Sequence, residues 1–84
     1  MSPELTILDE LLGGDLHLGQ ALALFGQKDK FVRAILFMLD AGEIRLLDVH
    51  GNDVPRWQRQ DVLSTDEQAA FRISITNKGG ARIA

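Results

Sequence analysis

Hydrophobic and polar positions change their period several times along this chain, and each change marks an element. Leu5, Leu8, Leu11 and Leu12 recur at helical spacing, with Ile7 beside them and Thr6, Asp9 and Glu10 on the opposite side. Ser2 reads as an N-cap ahead of Pro3, whose missing N–H costs nothing at the first helical position. Glu4 suits the positive end of that helix. Gly13-Gly14 predicts its stop, glycine being at ease in the left-handed cap conformation. Leu16-His17-Leu18 alternates just long enough for one short extended segment. From Leu18 the period lengthens again: Leu18, Ala21, Leu22 and Phe25 mark one face of a helix of about two turns, ended by Gly26.

The best-defined element is a helix over Asp29 to Ala41, capped by Asp29 and stopped by Gly42. Phe31, Val32, Ile35, Met38 and Leu39 share one side, with Leu36 at its edge. Lys30, Arg33, Phe37 and Asp40 share the other, which makes Phe37 an aromatic among charges. Ile44 to Val49 then carries β-formers, Ile44 and Leu46 on one face and Arg45 and Leu47 on the other. His50-Gly51-Asn52-Asp53 is a turn cluster.

Val54-Pro55-Arg56-Trp57 predicts a loop leading into a short helix to about Leu63, with Trp57 as the core anchor of the loop. Ser64 and Glu67 form a capping box for one further turn. Phe71, Ile73 and Ile75 alternate with Arg72, Ser74 and Thr76, a half-buried strand whose natural partner is the Ile44–Val49 segment, antiparallel. Thr76 can cap a last helical turn to Ile83, which Gly79-Gly80 weakens.

At 84 residues the chain is one small domain, 1–84, with the 45% hydrophobic and 25% charged mix of an ordinary globular protein. It has no cysteine, which excludes disulfides and thiolate metal sites. The N-terminus lacks a secretory pattern, and no apolar run approaches the roughly 20 residues a membrane helix needs. A cytoplasmic protein without membrane contact is the expectation.

The net charge of −3 argues against nonspecific coating of nucleic acid. Its distribution says more. Residues 1–27 hold Glu4, Asp9, Glu10 and Asp15 and no base; all nine Lys and Arg lie from Lys28 onward, against eight acids. His17 and His50 have no companions at metal-ligand spacing, so no metal or other cofactor is expected. Ser2, Ser64 and Ser74 have no neighbouring base, and the Asp9-Glu10 and Asp66-Glu67 pairs do not converge. No enzyme is read from these residues.

Three helices followed by two paired strands resembles a winged helix-turn-helix domain. With Gly26 as the turn glycine, Val32 and Ile35 fall where that motif places apolar residues in its second helix. MLDAGEIRLLD is similar to the end of a recognition helix and the first wing strand. FRISITNKGGARIA is similar to the second wing strand and the Thr-x-x-Gly step into a final helix of small bacterial winged-helix proteins. The resemblance implies an α+β fold, a single winged domain whose two-stranded antiparallel wing has a long, partly helical connection from about His50 to Ala70. Leu22 stands where the motif has a small residue, which implies a wider helix crossing.

The resemblance also implies double-stranded DNA as partner, a role as a small transcriptional regulator, and a homodimer. Lys28 and Lys30 would meet phosphates, Arg33 a guanine edge, and Arg56 and Arg59 further phosphates. The alternative is a protein partner held by Phe37 and Arg33, aromatic and Arg side chains being enriched at interface hot spots. Burial of Phe37 beneath the Trp57 segment is the bland reading of the same residue.

Overall fold

The computed structural model describes residues 3–64 and 70–83. The Ser2 cap and the Ser64–Glu67 capping box involve residues outside that range. The described elements form an α+β fold: α1 (Pro3–Leu11), β1 (Leu16–His17), α2 (Leu18–Phe25), α3 (Lys28–Asp40), β2 (Ile44–Leu47), a 3-10 turn (Arg56–Gln58), α4 (Arg59–Ser64), β3 (Arg72–Ile75) and α5 (Asn77–Ile83).

The sheet has three strands where two were expected. β3 is its centre, paired antiparallel with β2 in the register Ile44↔Ile75 and Leu46↔Ile73, and with β1 through Leu16↔Ile73 and His17↔Arg72. Leu16-His17 is extended as its alternation predicts, and it joins the sheet because β3 has a second open edge to satisfy. The core lies between this sheet and the helices. Ile7, Leu8, Leu18, Phe31, Ile35, Met38, Leu46, Leu63 and Ile73 are fully buried in it. Leu12, expected on the apolar face of α1, lies beyond its last turn and is 60% exposed.

Helix ends explain how α3 is held. Gln27, not Asp29, is its N-cap, and Asp29 sits in the first turn. Gly26 turns the chain between α2 and α3 at φ 78° and donates its N–H to the Leu22 carbonyl. Across that turn the Phe25 and Phe31 rings meet edge to face, centroids 5.7 Å apart. Ala21 is fully buried on α2 and Leu22 only half-buried, so the small residue at the packed face is one position from where it was sought. Gly42 ends α3 at φ 75°: its N–H reaches the Leu39 carbonyl, and the Glu43 N–H reaches that of Met38. This is the paired bonding of a Schellman stop, which needs a left-handed residue at that position.

The stop of α3 is clamped to α5. Thr76 accepts the Gly79 N–H on its hydroxyl, as expected of a cap, and donates that hydroxyl to the Gly42 carbonyl at 2.6 Å. Its own N–H bonds the Glu43 carbonyl. Glu43, a buried acid, is paired with Arg82 at 2.7 Å, and Arg82 also reaches Glu4 on α1. Gly79 has a packing role in α5: a Cβ there would overlap the Glu43 carbonyl oxygen, so glycine is what lets the two segments close.

The β2 hairpin turns at Asp48, whose carboxylate accepts the N–H groups of His50 and Asn52. β2 ends at Leu47, two residues before Val49, because there the chain folds back and Leu47 pairs with Asp53. Arg45 makes two hydrogen bonds to the Asp53 carboxylate, at 2.8 and 3.0 Å. Those bonds hold the Asp53 carboxyl below the usual carboxylate range. A depressed folded-state pKa stabilises the fold at neutral pH, and the contribution is lost as pH falls through the folded value. The pair is solvent-exposed and screened, so the effect stays local. In the wild type the side-chain NMR signals of Arg45 and Asp53 should shift together only below the ordinary carboxylate range; in Asp53→Asn the Arg45 step should vanish.

Candidate binding face on helix α3

The packed side of α3 consists of Phe31, Ile35, Met38 and Leu39. Its opposite side carries Lys30, Arg33, Phe37 and Asp40, all exposed. Phe37 is 63% exposed, so it does not pack beneath the Trp57 segment. Trp57 is itself 78% exposed and anchors no core; Val54 and Leu63 bury the long connection instead.

The connection returns along the flank of α3 and is tied at both ends. At the C-terminal end of α3, Asp40 takes Arg56 at 3.2 Å and Arg59 at 3.6 Å. At its N-terminal end, Lys28 donates to the Ser64 carbonyl at 3.0 Å. Since Arg59 opens α4 and Ser64 closes it, α4 runs antiparallel to α3. Leu63 is driven into the core, while Val32, Leu36 and Gln60 line a trough of about 530 Å³ between the two helices.

Five basic residues were expected to reach phosphates or bases, and the structure divides them. Arg56 and Arg59 share the Asp40 carboxylate and strap the connection to α3; the Arg59 side chain is only 23% exposed. Lys28 lies against the end of α4. Lys30 and Arg33 alone among the five project from α3 with no ion-pair partner among the described residues, and they stand with Phe37.

A second trough, of about 540 Å³, opens on the other flank of α3, where Lys30, Arg33, Ala34 and Phe37 face Phe25 of α2 and Pro3 at the start of α1. The face offers an aromatic ring between two cations, a broad apolar floor and no buried polar group. Trp57 is the member that sequence reading misplaced. Its neighbours Pro55 and Arg56 gave a weak sign, since both are exposed and neither starts a buried run.

No protein family, curated protein or solved structure matches the chain. Among the described residues, no helix is long and apolar enough to cross a membrane.

Proposed function

We propose that this chain is a non-catalytic winged helix-turn-helix module whose working surface is the outer face of α3, and that its partner there is a protein. The order helix, strand, helix, helix, strand, strand, with the first strand beside the last, supports the winged arrangement. One observation carries the choice of partner: α4 lies alongside α3, tied at Lys28 and at Asp40. Two helices packed about 8–10 Å apart are together roughly 20 Å across. The DNA major groove is about 12 Å wide and admits one helix. A protein surface has no such limit, and Phe37 and Trp57 are anchors suited to it.

Duplex DNA is the second reading, favoured by Lys30 and Arg33 standing exposed on α3. Fluorescence anisotropy of a labelled random duplex separates the two. The protein-partner reading expects no binding, even at low salt. Binding that falls steeply with salt, and weakens when Lys30 and Arg33 are both replaced by alanine, overturns it. Phe37→Ala should leave the melting temperature within about 2 °C of wild type, because an exposed side chain contributes little to folding. A clear drop in calorimetry would mean that Phe37 serves the fold and not a partner.

A further inference from the structure

The trough between α1 and α3 has its charge complement on the same chain. Its α3 wall carries Lys30 and Arg33, cations without ion-pair partners among the described residues, around the exposed Phe37 ring. Pro3 and Glu4, at the start of α1, line its other side, the Glu4 carboxylate being held by Arg82. From Pro3 an outward stripe follows α1 through Thr6 to Glu10, with Asp9 beside it. Asp9 and Glu10 are exposed acids with no ion-pair partner among the described residues, whereas Glu4 is held by Arg82. Just past them Leu12 is exposed.

We infer that the trough takes a second copy of this chain, the acidic outer stripe of α1 from one copy lying against Lys30, Arg33 and Phe37 of the other. The inference rests on the protein-partner reading above and names the partner. Charge complementarity carries it. Of the four acids in the first 27 residues, Glu4 and Asp15 are paired with Arg82 and Arg72, which leaves Asp9 and Glu10 on the outer side of α1 to answer Lys30 and Arg33 on α3. Within one copy Asp9 and Glu10 lie outside the lining of the trough, and among the described residues neither pairs with Lys30 or Arg33. A twofold axis through the trough sets each α1 stripe opposite the other copy's α3, so every contact is made twice.

Sedimentation equilibrium from micromolar to millimolar protein tests this. The wild type should dimerise, more weakly as salt rises. Phe37→Ala should raise the dissociation constant by about 30-fold or more, the loss typical of a hot-spot anchor. Lys30→Glu with Arg33→Glu makes both facing surfaces acidic, and Asp9→Lys with Glu10→Lys makes both basic. Each double variant should be monomeric alone. Mixed together they should form a one-to-one heterodimer, because both contacts are then complementary. A wild type monomeric throughout overturns the inference, and so does a dimer indifferent to these changes. Either result leaves the protein-partner reading to the duplex and Phe37 measurements, which do not depend on self-association.

Discussion

Gly79→Ala should destabilise the domain by roughly 3 kcal/mol, at the upper end of what overpacking costs. An alanine methyl would overlap the Glu43 carbonyl oxygen and sit 3.1 Å from Ile75 Cγ1. The obstacle is backbone and not the movable end of a side chain. That carbonyl cannot retreat cheaply, because it accepts the Thr76 N–H, and the Glu43 side chain is held by Arg82. Relief therefore means parting α5 from the end of α3, with loss of the hydrogen bond from Thr76 to Gly42. For a domain of this size the melting temperature should fall by roughly 12–24 °C. Gly80→Ala is the matched control. Nothing lies within 4 Å of a Cβ there, and alanine is the better helix former, so stability should rise by about 0.5–1 kcal/mol. If both variants melt alike, the close approach at Glu43 is not what requires glycine.

Leu63→Ala should cost about 2–5 kcal/mol, the range for emptying a buried leucine site. Leu63 is fully buried, and it is the residue by which α4 enters the core. Apart from Val54 and the half-buried Val62, the other ties of the connection to α3 are polar: Arg56 and Arg59 to the exposed Asp40, and Lys28 to the Ser64 carbonyl. Exposed ion pairs are worth about 0–1 kcal/mol each, too little to hold a six-residue helix in place. The loss should accordingly be uneven. Amide hydrogen exchange should quicken most over residues 56–64, while α1 and the β2–β3 pair keep the protection that the global stability allows. Uniform quickening would show that α4 unfolds only with the whole domain. The distinction bears on the binding face, since α4 is what makes α3 one of a side-by-side pair.

Much of the local structure was legible in the chain. Helical spacing at Leu5, Leu8 and Leu11, and at Phe31, Ile35 and Met38, identified α1 and the packed side of α3, because one buried stripe leaves a period in the sequence. Ile73 and Ile75 alternating with Arg72 and Ser74 marked β3, and the antiparallel partnership with β2 followed from it. Thr76 was legible as a cap and Gly42 as a stop, since each acts within a few residues of its own position. The wheel placed Phe37 among charges but left open its burial beneath the Trp57 segment; the structure leaves it exposed.

What depended on residues far apart in sequence came only with the tertiary structure. The extended segment at Leu16-His17 was legible, but its pairing with β3 was not, because that depends on an edge more than 50 positions away. Gly79 is required because the Glu43 carbonyl arrives beside it across 36 positions. Trp57 looked like core because it is the largest side chain in its segment; burial belongs instead to Val54 and Leu63, which the fold turns inward. Arg56 and Arg59 read as cations for phosphate until Asp40 was found between them. By itself the sequence determined which stretches are helix and strand and which side of α3 is wet. Only the tertiary structure decided which of the five expected basic residues lack an ion-pair partner among the described residues, because pairing depends on distance in space, and spacing along the chain does not report it.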